Sequence, residues 1–236
     1  MKKIKSVFSY FSKAEITLWL SSILLILISF VVFDRTNYLT LCASLIGATS
    51  LIFCAKGNPI GQLLMIIFSI IYGIISFKFS YYGEMITYLG MTGPMALFSM
   101  ISWIKNPYNE NKSEVKVNKL KGKEIIFMIL LAVVVTIIFK FILSSMNTAN
   151  IIPSTISVLT SFLAVYLTFR RSVYFTLAYA INDVVLIVLW IMASMTDISY
   201  LSVVICFIMF LANDIYGFIN WTKMSKKQTE NIFAES

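Results

Sequence analysis

The sequence predicts an all-α membrane protein of eight transmembrane helices, and three observations carry that prediction. Of 236 residues, 59% are hydrophobic and only 13% charged, with a mean hydropathy of +0.86; a water-soluble domain needs more polar surface than this. Eight stretches approach the ~20 mainly apolar residues that cross a bilayer as a helix, at roughly 15–33, 38–55, 59–77, 81–104, 123–145, 150–168, 172–194 and 197–220. The connections between them alternate between rich and poor in Lys and Arg, the pattern that sets membrane orientation.

The elements follow in order. Lys2, Lys3, Lys5 and Lys13 precede the first apolar run, which lacks a small-residue cleavage pattern and exceeds a signal-peptide core, so it reads as a retained span. Asp34-Arg35-Thr36-Asn37 ends it, and Lys56-Gly57-Asn58-Pro59 separates the second and third spans, with Pro59 suited to a first helical turn. Tyr82-Gly83 opens the fourth. The stretch from Lys105 to Lys123 holds six lysines and is expected to be a solvated cytoplasmic linker near anionic headgroups. Asn147 to Asn150 and Arg170-Arg171 bound the sixth span. With a cytoplasmic N-terminus, all of the nineteen Lys and Arg except Arg35, Lys78 and Lys140 fall inside, which places both termini in the cytoplasm of a multi-pass protein of the inner, cytoplasmic membrane.

The net charge of +8 is spread between apolar runs instead of forming a basic patch, so the bilayer is the expected partner and nucleic acid is not. Cys42, Cys54 and Cys206 lie within apolar segments without metal-ligand spacing; neither a disulfide framework nor a metal site is expected.

The two sides of the linker resemble each other. Ser102-Trp103-Ile104-Lys105 closes the fourth span as Asn220-Trp221-Thr222-Lys223 closes the eighth, 118 residues later. The same offset pairs Ser76 with Ser194, Tyr82 with Tyr200, Met91 with Met209 and Ile101 with Ile219. Four spans fit within that offset, so the triplets run parallel, and a linker helix must return the chain between them. The prediction is a three-plus-one-plus-three arrangement with an extra N-terminal helix, as in the small sugar carriers called SWEETs. Its parts are 1–37 (tail and extra helix), 38–104 (first repeat), 105–149 (linker and linker helix), 150–222 (second repeat) and 223–236 (cytoplasmic tail).

Polar side chains recur at helical spacing on four spans: Asn58, Gln62, Ser69, Tyr72 and Ser76; Glu84, Tyr88, Thr92 and Ser102; Tyr179, Asn182, Asp183 and Trp190; Asn213, Tyr216 and Asn220. A carboxylate in hydrocarbon costs about 2.5–3.5 kcal/mol on insertion scales, so Asp183 and Asp214 are expected to face a bundle interior or a polar path. Interhelical adhesion explains a single Ser or Thr; Asn182-Asp183 in mid-helix exceeds that need. Glu84 opens its helix, where an acid suits the dipole. Trp103 and Trp221 are expected to be interfacial anchors, whereas Trp190 is deep enough to stack on a ring. Asn and Gln offer donor and acceptor together, matching a small hydrophilic ligand that carries a ring. No phosphate-binding loop and no histidine is present, so neither catalytic residues nor a cofactor is expected and passive alternating access is the simplest mechanism. An intramembrane enzyme would need a nucleophile with a base, or a metal cluster, that this chain lacks. A purely structural subunit would not need the polar stripes.

GNPIGQ at 57–62, YYGEMITY at 81–88, AINDVVLIVLW at 180–190 and LANDIYGFINW at 211–221 together resemble the PnuC family of vitamin-precursor transporters. The resemblance implies facilitated diffusion of nicotinamide riboside, supplying NAD biosynthesis, through a SWEET-like fold, in a homotrimer. Together with the polar stripes, it leads to the expectation of a substrate site in which Gln62, Asn182 and Asn213 hydrogen-bond and Tyr72, Tyr179 and Trp190 pack on rings, with Tyr88, Asp183 and Tyr216 beside them. The family's substrate helix commonly carries W-x-x-W-x-x-x-N; here Asn182 fits the last position, and Phe175 and Ala178 stand at the tryptophan positions. A related deoxynucleoside, thiamine or riboflavin is therefore the alternative cargo.

Overall fold

The computed structural model describes residues 10–78, 81–109, 111–148 and 150–234; Lys2, Lys3 and Lys5 lie outside them. Among the described residues, eight helices are long and apolar enough to cross a membrane: α1 (Lys13–Asp34), α2 (Tyr38–Ala55), α3 (Pro59–Lys78), α4 (Tyr82–Lys105), α5 (Gly122–Ser145), α6 (Ile151–Phe169), α7 (Phe175–Ser194) and α8 (Leu201–Ala234, led by the turn Ile198–Tyr200). The first seven agree with the sequence expectation to within a few residues. The eighth, read as ending near 220, continues as helix to Ala234.

Each helix end must satisfy carbonyls that lack intrahelical partners, a demand that is costly to leave unmet in a membrane. At the end of α2, Trp221 Nε1 donates to Cys54 O at 2.9 Å and Asn220 Nδ2 to Ala55 O at 2.8 Å. At the end of α6, Trp103 Nε1 donates to Thr168 O at 3.0 Å and Ser102 Oγ to Phe169 O at 3.1 Å. So α8, at Asn220 and Trp221, caps α2, and the last turn of α4 caps α6. The turns that follow also match. Gly57 adopts φ +67° and Arg171 φ 55°, and each closes a left-handed helix stop: Gly57 N bonds Cys54 O and Arg171 N bonds Thr168 O.

This arrangement corrects one expectation. Trp103 and Trp221 are not interfacial anchors: they are 1% and 0% exposed, and their rings lie 5.4 Å apart inside the bundle. Each indole is apolar except for one N–H, and a helix-terminal carbonyl meets that N–H in the interior.

The α4–α5 connection corrects another. It is not a solvated linker but a strap docked across this end of the bundle. Strands β1 (Pro107–Tyr108) and β2 (Asn111–Val115) form an antiparallel hairpin. Val115 N donates to Gly57 O at 3.1 Å and Asn118 N to Arg171 O at 3.0 Å, so the strap bonds both left-handed turns. The extension of α8 clasps it from outside: Gln228 Oε1 accepts from Val117 N, and its Nε2 donates to Val115 O and Glu114 Oε1. Val115 is fully buried with Trp103, Trp221 and Cys54. Lysines alternate with these apolar residues, which is why composition reads as solvated.

α5 packs chiefly on α6 and leaves Ile126, Phe127, Leu130, Val134 and Phe141 exposed. α1 packs on α2 and α8. It starts with a capping box at Ser12 and Glu15, and the same buried Glu15 pairs with Lys56 at 3.3 Å and accepts from Tyr216 Oη at 3.1 Å.

Candidate functional site

α4 does not wind regularly. Pro94 has no N–H to donate, and its ring would crowd the preceding turn of a regular helix; residues Thr87–Thr92 relax into a π-helical turn. The extra residue turns Tyr88 toward the centre of the bundle. There Tyr88 lies 4.5 Å from Tyr72 of α3, centroid to centroid, and Phe68 packs on both. Trp190 of α7 donates from Nε1 to Tyr72 Oη at 2.6 Å, and Tyr81 and Phe207 complete an aromatic group that is buried throughout. Tyr72 and Trp190 stand at the same 118-residue offset as Trp103 and Trp221.

A polar layer lies between this aromatic group and the strap. Gly61 brings α3 against α2, since a Cβ there would lie 2.6 Å from Cys54 N, and at the next residue Gln62 Nε2 donates to Cys54 Sγ at 3.3 Å. Asp183 of α7 and Asp214 of α8, both buried, stand with their carboxyls within hydrogen-bonding reach of each other. The half-buried Tyr179 lies within electrostatic reach of both. Asp183 Oδ2 has no hydrogen-bond partner.

Of the nine residues singled out from the sequence, Tyr72, Tyr88 and Trp190 meet in the aromatic group, and Gln62, Tyr179 and Asp183 lie in the polar layer. Asn182 turns to α6, where its Oδ1 accepts from Thr160 Oγ1 at 2.8 Å and Ser161 Oγ at 2.9 Å; what it has left to offer a ligand is its amide N–H pair. Asn213 and Tyr216 are not brought into this group. Asn213 Nδ2 donates to Ser22 Oγ of α1 at 2.9 Å, and Tyr216 reaches Glu15, so both face the extra helix. Sequence reasoning left out Asp214 and Glu84 as site residues. Glu84 is 1% exposed, with Ser157 Oγ of α6 donating to its Oε1 at 3.0 Å and Oε2 without a partner. The signal was an acid inside an otherwise apolar span.

Tyr72, Tyr88, Trp190, Gln62 and Asp183 are all buried. A cavity of about 300 Å³ opens beside the strap, lined by Tyr10, Lys56, Glu114, Lys223 and Lys227 among others, and the central residues do not line it.

Eight spans around a buried aromatic and polar centre suit a solute carrier. The model of the nicotinamide mononucleotide transporter family matches residues 37–223, from the start of α2 to the last turns before the α8 extension. The chain belongs to that family. It is therefore a multi-pass membrane transporter and not an enzyme. The nicotinamide riboside transporter PnuC of Neisseria mucosa is 26% identical over 202 residues, covering 84% of this chain and 77% of that one. The crystal structure of the vitamin B3 transporter PnuC superposes with a TM-score of 0.80 at 24% identity, over 92% of this chain and 94% of that one. This likeness is one of fold. The stretch that the family model matches begins after α1, and α1 is the helix that Asn213 and Tyr216 contact.

Proposed function

We propose that this chain carries nicotinamide riboside across the cell membrane by facilitated diffusion and so supplies NAD biosynthesis. The observation that carries the reading is the buried centre between α3, α4, α7 and α8, where the rings of Tyr72, Tyr88 and Trp190 adjoin the polar layer of Gln62, Tyr179 and Asp183. Rings of this kind stack on a planar heterocycle, and amides and carboxyls hydrogen-bond ribose hydroxyls and a carboxamide. Membership of the transporter family and the similarity to a nicotinamide riboside transporter point the same way.

The two triplets α2–α4 and α6–α8 act in this reading as parallel repeats that move against each other. The reciprocal capping of α2 by α8 and of α6 by α4 supports it, because the donors recur 118 residues apart and the carbonyls they meet recur 114 residues apart, at the last two positions of each capped helix. The strap bonds one turn of each repeat, so opening at that end requires its release. Both termini and the strap are placed in the cytoplasm, in keeping with the lysine distribution. A homotrimer is the expected assembly, by family resemblance, and the exposed apolar face of α5 is available for it.

A second reading keeps the mechanism and changes the cargo to a deoxynucleoside, thiamine or riboflavin. It is favoured by Phe175, which is buried against Trp103 and Trp221, and by Ala178 beside it; both stand where the family's substrate helix commonly has tryptophan. Thermal stabilisation of the detergent-purified protein by this panel decides between them, since a ligand that binds only the folded state raises the apparent Tm. A shift with nicotinamide riboside alone supports the first reading, and a shift with another member alone replaces it.

A further inference from the structure

We infer that the buried carboxyls of Glu84, Asp183 and Asp214 make the centre an anionic site that selects a ligand bearing a fixed positive charge on its aromatic ring. The inference rests on the nicotinamide riboside reading, because that nucleoside carries a permanent charge on its pyridinium nitrogen, which thiamine shares on its thiazolium ring and riboflavin and deoxynucleosides do not.

Glu84 lies beside the aromatic group, and Asp183 and Asp214 lie in the adjoining polar layer, none of them with a basic partner. Among the described residues the ion pairs are Lys56 with Glu15 and Arg170 with Glu124, and neither involves the centre. The ionisable groups near Glu84 are Tyr72, Tyr81 and Tyr88. Those near Asp183 and Asp214 are each other, Tyr88, Tyr179, Cys54 and Cys206. None of these is a cation. Burying a carboxylate without a countercharge is costly, and two carboxyls in contact do not both ionise unless a cation lies between or beside them.

Two of the three acids also carry an oxygen with no hydrogen-bond partner: Glu84 Oε2, with Glu84 99% buried, and Asp183 Oδ2, with Asp183 97% buried. The attraction of an acid to the first turn of α4 explains why Glu84 is tolerated there; it does not use up both oxygens. Tyr88 lies within electrostatic reach of Glu84 and Asp183 alike; Tyr72 adjoins it, and Trp190 adjoins Tyr72. Electron-rich ring faces bounded by carboxyls are the environment that favours a desolvated organic cation.

The experiment compares nicotinamide riboside with its 1,4-dihydro form, which keeps the skeleton and loses the charge, by calorimetric titration of the full-length protein. The expected result is a wild-type preference for the cation of about tenfold or more, which corresponds to about 1.4 kcal/mol. Glu84→Gln and Asp183→Asn are expected to bring the ratio toward one. Equal affinity of the wild type for both forms overturns the inference and leaves the transport reading standing. A ratio unchanged in both variants overturns the role of these acids. If the variants do not fold, the wild-type ratio decides alone. Binding of neither form removes the nicotinamide riboside reading and this inference with it.

Discussion

Tyr72 and Trp190 show how single side chains couple the two halves of the molecule: they are distant in sequence, and one buried hydrogen bond of 2.6 Å joins them. Tyr72→Phe removes the acceptor and keeps the ring, so a loss of about 1 kcal/mol in stability is expected, with nicotinamide riboside binding weakened more than the Tm falls. Asn182 Oδ1 accepts from both Thr160 and Ser161. Asn182→Leu is expected to abolish uptake in proteoliposomes while the protein still inserts, and to lower the Tm because two hydroxyls lose their acceptor. Uptake at the wild-type rate would remove Asn182 from the site. Glu15→Gln keeps the capping geometry and removes the countercharge of Lys56. As Lys56 remains partly exposed, the expected cost is about 1 kcal/mol or less, read as a Tm lowered by a few degrees that high salt does not restore.

At the scale of elements, two backbone features place the candidate site. The π-helical turn before Pro94 sets where Tyr88 points relative to Trp103. Pro94→Ala lets α4 wind regularly, and one residue less in the turn rotates Tyr88 by about 100° against the rest of the helix. Ligand affinity is expected to fall at least about tenfold, while indole fluorescence of the buried Trp103–Trp221 pair stays unchanged. Gly61 is the other feature. Because a Cβ there would meet Cys54 backbone, Gly61→Val is expected to force α3 from α2 and destabilise the protein by about 2 kcal/mol or more, measured as a lower Tm, with Gln62 displaced from Cys54.

At the scale of the molecule, the strap joins the turn after α2 to the turn after α6, so it holds the two triplets together at one end. A Gly57→Cys/Val115→Cys pair places two thiols where these residues touch, although cysteine at the left-handed φ of Gly57 costs about 1 kcal/mol. Oxidation is expected to arrest uptake in proteoliposomes, and a reductant to restore it. Uptake undiminished after complete cross-linking would show that transport does not require the strap to leave.

The sequence by itself determined the eight spans, because a chain must satisfy its backbone polar groups internally to cross lipid, and about 20 apolar residues in a row have one means of doing so. It also determined which helices carry polar stripes, since the 3.6-residue period places Gln62 with Tyr72, and Asp183 with Trp190, on shared faces. What it did not contain was the direction in which a face points. A lipid-facing surface and a helix-facing surface are equally apolar, so Trp103 and Trp221 looked the same as belt residues and as interior caps. Asn213 read as central although it faces α1, and Glu84 read as a helix-end acid although it is buried beside the aromatic group. The strap was hidden for the opposite reason, its lysines masking Val115 and Val117. Only the tertiary structure decided these, because each depends on which helix lies alongside, a relation between residues separated by tens to hundreds of positions that local hydropathy does not record.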